Sequence, residues 1–201
     1  GNMDIWLMNE DGTNKINCTE TSTNEYDPDI NINANEIVYI KSVIIDSITG
    51  QTQVDLFWKN LNSNQELQLT DDIYIEKNPK FLPLDFQVVS NGQISFGNKV
   101  IYESNYDGTS SLWIQELPEE MENLDNFPKD VIDTFADNSS NQKNMNITRI
   151  TINDNEVYRI VYESDEDGTS SIYMTSENGS IDKINLTGNL GNDYFPQIQP
   201  N

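Results

Sequence analysis

Internal repetition constrains this 201-residue chain more than any other feature. The run IYESNYDGTSS beginning at Ile101 returns as VYESDEDGTSS beginning at Val161, identical at eight of eleven positions. A weaker copy, VYIKS, begins at Val38. Each copy is followed by an aromatic-bearing stretch: LFW at Leu56, LWI at Leu112 and IYM at Ile172, with IWLM at Ile5 as a fourth. A stricter column is formed by Cys18-Thr19, Leu69-Thr70 and Leu186-Thr187. Nine residues after each Thr stands a proline: Pro28, Pro79 and Pro196. Self-similarity of this kind marks architectures in which one supersecondary unit stacks on the next.

Each unit reads as four short strands. After the proline comes DINI at Asp29, with Pro expected at the first strand position, where no ladder donor is needed. An apolar strand follows, Glu36–Ile40 or Arg159–Glu163, rich in β-branched and aromatic residues. Asp107-Gly108 and Asp167-Gly168 signal hairpin turns into the aromatic strand. Asp11-Gly12 or Asn178-Gly179 then leads to the last strand, KINCT at Lys15 or KINLT at Lys183. No window sustains a helical period, which excludes helical repeats, and a β-helix would use shorter coils. The expected fold class is all-β: a β-propeller of four-stranded antiparallel blades, with about four blades' worth of sequence.

The stretches GNMDIWLMNEDGTNKINCT with DPDIN, YES…DGTSSIYM, and INLT…YFPQIQPN resemble TolB-like β-propeller repeats. The resemblance runs over nearly the whole chain, and its motifs are specific to a fold rather than to an activity. Two departures stand out. Asn33-Ala34-Asn35 replaces the family's Ser-Pro-Asp-Gly turn, and the unit after Trp113 carries an insertion, Pro118 to Lys143, and loses the Thr-to-Pro spacing. The pattern implies a single segment over 1–201 with blade portions near 1–19, 20–70, 71–134, 135–187 and 188–201. Half a blade, three full blades and one leading strand make an incomplete portion of a larger propeller the expectation, most simply one of six to eight blades. Further insertions lie between Pro79 and Tyr102, where Asn91-Gly92 suggests an added hairpin, and at Ile44 to Gln53, a lengthened turn. Long loops on a rigid scaffold are where binding surfaces usually sit. Glu119 to Leu124 is a candidate short acidic helix that could touch a partner.

Composition narrows the chemistry. Eleven Lys+Arg against 34 Asp+Glu give a net charge of −23, and apolar residues make up 35%. Low hydrophobicity with high charge is a signature of disorder, but 9% aromatics and the repeats argue for a packed fold. Without a basic cluster, phosphate-backbone binding is excluded, so no nucleic-acid partner is expected. With no His there is no imidazole base, no catalytic triad and no His-ligated metal. The single Cys18, in a column held elsewhere by Leu, is expected to be a buried apolar residue. No apolar run approaches a membrane span.

At Asp165-Glu166-Asp167-Gly168 the start of a calcium loop competes with a plain tight turn, and the turn is expected because the later ligands are absent. Close carboxylate pairs are inevitable among 34 acids, and the repeated Glu103 and Glu163 are expected to be structural. Trp6, Phe57, Trp113 and Tyr173 are expected to pack in the core rather than to stack on sugars. The Asn-x-Ser/Thr triplets at Asn17, Asn138, Asn146, Asn178 and Asn185 carry little weight in so Asn-rich a chain.

No catalytic, metal or cofactor-binding residue is therefore singled out, and no cofactor is expected. The expected function is a non-catalytic binding module, periplasmic or extracellular, contacting a protein, peptide or glycan through its loops or central channel, and the acidic charge suggests basic partners. The alternative is an accessory propeller that gates substrate entry in a larger prolyl-oligopeptidase-like or tricorn-like hydrolase. A Gly-x-Ser-x-Gly motif and a later His elsewhere in the same protein would mark the second.

Overall fold

The computed structural model describes residues 1–83, 88–90, 93–95, 98–106, 108–117, 133–134, 140–152, 155–175, 183–188 and 191–197. Their regular structure is all β, and wherever consecutive strands pair they run antiparallel. The chain divides into two compact units. The described residues of the first lie within Gly1–Phe81, and those of the second run from Leu82 onward.

In the first unit, β1 (Trp6–Leu7) and β2 (Ile16–Asn17) form a two-stranded sheet. β3 (Glu25–Ile30), β4 (Glu36–Asp46), β5 (Gln51–Asn60) and β6 (Glu66–Gln68) form a four-stranded sheet in chain order. β7 (Glu76–Leu82) ends at the residue that opens the second unit. There, β8 (Val88–Ser90) and β9 (Gln93–Ser95) make the added hairpin expected around Asn91-Gly92. β10 (Lys99–Ser104), β11 (Ser111–Glu116) and β12 (Asp133–Thr134) belong to a sheet ordered β12–β11–β10–β7. β13 (Gln142–Ile152), β14 (Asn155–Ser164), β15 (Ser171–Thr175) and β16 (Ile184–Asn185) repeat the chain-order meander. Glu119–Leu124, Asp107 and Asn178-Gly179 lie outside the described residues.

The second strand of each four-stranded sheet is a continuous buried run: Ile37–Ile40, Val100–Tyr102 and Ile160–Tyr162. Both faces of these strands are covered, so the polar alternation of a half-exposed strand disappears. Each run places a tyrosine opposite the aromatic of the third strand: Tyr39 faces Phe57, Tyr102 faces Trp113 and Tyr162 faces Tyr173. The first and last of these pairs stack with the same geometry, centroids 6.0 Å apart and planes inclined by 24°. Phe57, Trp113 and Tyr173 are 6%, 8% and 2% exposed, as core residues should be. Trp6 corrects the expectation for its column. It is 58% exposed: among the described residues β1 pairs only with β2, with no tyrosine strand beside it.

The Thr column has a hydrogen-bonding cause. The Thr19 hydroxyl accepts the Ile5 N–H at 3.0 Å, Thr70 accepts Leu56 N–H at 2.9 Å, and Thr187 accepts Ile172 N–H at 3.1 Å. The residue before each Thr closes the pair, with Cys18, Leu69 and Leu186 donating to the carbonyls of Ile5, Leu56 and Ile172, each at 2.8 Å. Each of these N–H groups lies just past the end of the last strand's ladder, where it would otherwise be left without a partner.

The proline column behaves differently from expectation. Pro28 and Pro79 lie inside β3 and β7 rather than at their first residue. The register of β3 on β4 slips by one residue between Tyr26 and Asp29, a bulge at which the missing proline N–H costs nothing. β13 carries the same slip between Lys143 and Asn146, so Met145 fills the proline column in the unit whose Thr-to-Pro spacing is lost. The residue before each column member is left-handed: Asp27, Asn78, Asn144 and Phe195, with φ between 48° and 56°. Asp and Asn tolerate this region; a bulky Phe195 is strained there.

Candidate binding surface

The same bulged segments clasp the preceding repeat. Met3 N–H donates to the Asn24 side chain at 3.0 Å, and Glu25 N–H to the Met3 carbonyl at 2.9 Å. In the second compact unit, Ser110 N–H reaches the Asn141 side chain and Ser170 N–H reaches that of Asn192. The return bonds there run from Gln142 N–H to the Ser110 carbonyl and from Asp193 N–H to the Ser170 carbonyl. A parallel bridge, Val54 with Ile75, stands at the corresponding place after β5. Asn occupies three of these four corners, four residues before the proline column, a spacing visible in the sequence but meaningless without the contact.

Most polar residues that could be read as functional serve this scaffold. Asp165 accepts the Asn141 N–H at 2.8 Å and its Nδ2 at 2.6 Å. Glu166 pairs with Lys183 at 2.5 Å, and Asp167 accepts the Tyr173 hydroxyl and Asn185 Nδ2. The three carboxylates of the calcium-like turn are thus taken up by Asn141, Lys183, Tyr173 and Asn185. Gly168 N–H closes the turn on the Asp165 carbonyl. Gly168 itself is left-handed, where a side chain would be strained. Among the described residues no group of three or more Cys, Asp and Glu is placed to hold a metal ion. Glu163, fully buried, accepts Asn144 Nδ2 at 2.7 Å and Phe195 N–H at 2.5 Å, and lies 3.8 Å from Lys143 Nζ.

Two of the Asn-x-Thr triplets are turns. Asn17 Oδ1 accepts the N–H groups of Thr19 and Glu20, and Asn185 Oδ1 those of Thr187 and Gly188. Both are Asx caps on the loop that follows the last strand. Asn138 and Asn178 lie outside the described residues. Cys18 is buried as expected, and burial pushes its thiol up in pKa. Beneath it Lys59, itself buried, donates to the Cys18 carbonyl at 2.8 Å.

Cations also sit over the aromatic centres of two sheets, an arrangement favoured by the negative face of the ring. Lys41 Nζ lies 4.8 Å above the Phe57 ring and pairs with Glu66 at 2.7 Å. Lys183 Nζ lies 5.5 Å above the Tyr173 ring and pairs with Glu166. Glu66 also accepts the Tyr39 hydroxyl at 2.5 Å. Burial, reinforced by that carboxylate, holds the Tyr39 phenol far above its ordinary range. Burial and the Asp167 carboxylate do the same to Tyr173.

Among the described residues, the tip of the first four-stranded sheet stands clear of these scaffold contacts. The lengthened turn expected over Ile44 to Gln53 is an extension of the strands themselves: β4 continues to Asp46, β5 begins at Gln51, and only residues 47–50 turn. β3 pairs with β4 no further than Lys41, and β6 pairs with β5 only across Phe57–Lys59. The hairpin therefore projects past both neighbours, and it carries exposed Ile44, Ile45 and Ile48. Sequence reading marked the insertion but not its apolar tip, since three isoleucines in a strand-forming stretch look like core.

No family model matches the chain, and no curated protein matches it. Among solved structures, TolB from Acinetobacter baumannii is similar, with a TM-score of 0.51, 14% sequence identity and 92% of this chain covered. The chain spans 37% of the length of that solved chain. At this identity the likeness is one of fold, and at that level it agrees with the resemblance carried by the repeats. Among the described residues no helix is long and apolar enough to cross a membrane.

Proposed function

We propose that the chain is an arc of a β-propeller acting as a non-catalytic binding module for a basic protein or peptide, in a periplasmic or extracellular setting. Its four-stranded sheets are then blades, one propeller segment over 1–201, and no cofactor or nucleic acid takes part. The observation that carries the reading is the recurrent clasp of the segment before each proline-column position on the residues leading into the preceding aromatic strand. A clasp at every step is what holds consecutive blades side by side in such an architecture. The fold likeness to TolB supports the same reading. For the partner, the support is charge: a net −23 on this chain raises the local concentration of cationic molecules and speeds their encounter.

Titration calorimetry of the purified chain with oligolysine and with a neutral peptide of equal length tests the partner class. Binding to oligolysine that weakens as salt is added is the expected result. Equal heats for both peptides, or no heat with either, would overturn it. Turnover of peptide or glycoside substrates by the purified chain would overturn the non-catalytic reading.

A further inference from the structure

The β4–β5 extension forms a hydrogen-bonded prong. At its root Val43 packs against the buried cluster of Ile5, Cys18, Ile37, Tyr39 and Phe57. Beyond Ser42 and Val54 the two strands pair only with each other, through Val43 with Gln53, Ile44 with Thr52 and Asp46 with Gln51. The register slips between Ile44 and Asp46, and this bulge leaves both Ile44 and Ile45 outward, about half exposed. Ile48 at the apex is 94% exposed. Such an apex would ordinarily be floppy, but the Asp46 carboxylate accepts Ile48 N–H at 2.8 Å and the Thr49 hydroxyl at 2.6 Å. Gly50, at φ 72°, closes the turn by donating to the Asp46 carbonyl at 2.8 Å. An apolar side chain held in one place loses little freedom on binding, which is what makes an anchor effective.

Its surroundings are acidic. Asp46 sits in the turn, and Asp71 and Asp72 lie close enough to Asp55, on the same strand as Val54, to raise its pKa beyond what burial does. The bridge between Val54 and Ile75 fixes Ile75 at the root of the prong. An anionic lipid surface or a second copy of so acidic a chain would meet like charge here.

We infer that the Ile44–Ile45–Ile48 prong, with Asp46 beside its apex and Asp71 and Asp72 toward its root, anchors a cationic protein segment bearing apolar side chains. The inference rests on the proposed binding of a basic partner and adds its place and its apolar component. The test uses fluorescence anisotropy with two labelled probes, oligolysine and a peptide of mixed lysine and leucine. Ile48→Ser in the full chain should weaken the lysine–leucine peptide about tenfold, the size expected for losing one buried aliphatic anchor. That loss should be equal at low and high salt, and oligolysine binding should not change. Asp71→Asn with Asp72→Asn should instead flatten the salt dependence of both probes. Ile32→Ser removes an isoleucine exposed over 91% of its surface, and it should change neither.

Unchanged affinity of Ile48→Ser for the lysine–leucine peptide would overturn the prong while leaving the basic-partner reading standing. No binding of either probe by the unsubstituted chain would overturn both. Sedimentation showing a dimer that Ile48→Ser dissolves, or vesicles of anionic phospholipid that the chain binds through Ile48, would likewise overturn it in favour of those occupants.

Discussion

Trp6 and Phe57 hold the same place in successive repeats, yet Trp6 is 58% exposed and Phe57 6%. Around them the local bonding is the same. Ile5 and Leu56 both donate to a column threonine, and both accept from the residue before it. The difference lies one strand away. Phe57 has Tyr39 stacked on it in β4 and Lys41 above its ring, whereas among the described residues β1 pairs with β2 alone. Hydrogen bonding between third and fourth strands is therefore a property of a short stretch of sequence. Burial of the aromatic is a property of the neighbouring strand. β13–β16 sides with the complete sheet: Tyr162 covers Tyr173 at the same spacing and tilt, and Lys183 replaces Lys41 from a different strand.

The comparison is broken most forcefully by truncating the two aromatics. Phe57→Ala should cost about 3–5 kcal/mol in equilibrium denaturation, because a buried ring leaves a cavity. Trp6→Ala should stay within about 0.5 kcal/mol, as exposed substitutions do. Similar losses for both would mean that Trp6 is covered in solution. The hydrogen bonds should behave in the opposite way. Thr70→Val and Thr19→Val each remove the acceptor of a buried N–H, and each should cost about 1–3 kcal/mol. A clear inequality between the two would show that the clasp depends on the tyrosine strand after all.

The smallest effect is the pH dependence. The Tyr39 phenol is raised in the folded state, so the stability it contributes is complete below the unfolded value of 10.0 and is lost as pH rises above it. Tyr39→Phe should flatten the alkaline limb of a stability–pH profile at a cost of about 1 kcal/mol at neutral pH, from loss of the bond to Glu66. An alkaline limb unchanged in the variant would assign it to another group.

Much of this was legible because the repeat is written in residues with strong local rules. The Thr column, the Asp-Gly turns and the buried tyrosine runs each answer to a backbone bond or an apolar face, and they could be read from spacing alone. Met145 was hidden, since the bulge it occupies demands a left-handed residue before it, Asn144, rather than a proline at it. Pro28 was placed at a strand start because a lone strand offers no sign of where its partner slips. The isoleucines of the prong were missed for a related reason. Periodicity shows that Ile44 and Ile45 suit a strand, but not that β3 and β6 end before reaching them.

Sequence by itself determined the unit: four short antiparallel strands, their turns, and an acidic, His-free composition. Those follow from interactions spanning a few residues or from composition. Only the tertiary structure decided which aromatics are covered, which carboxylates are taken up by the scaffold, and which apolar residues are left outside it. These depend on strands far apart in the chain, where Glu163 meets Phe195 and Trp6 meets no tyrosine strand. Burial is a relation between distant segments, and no single segment encodes it.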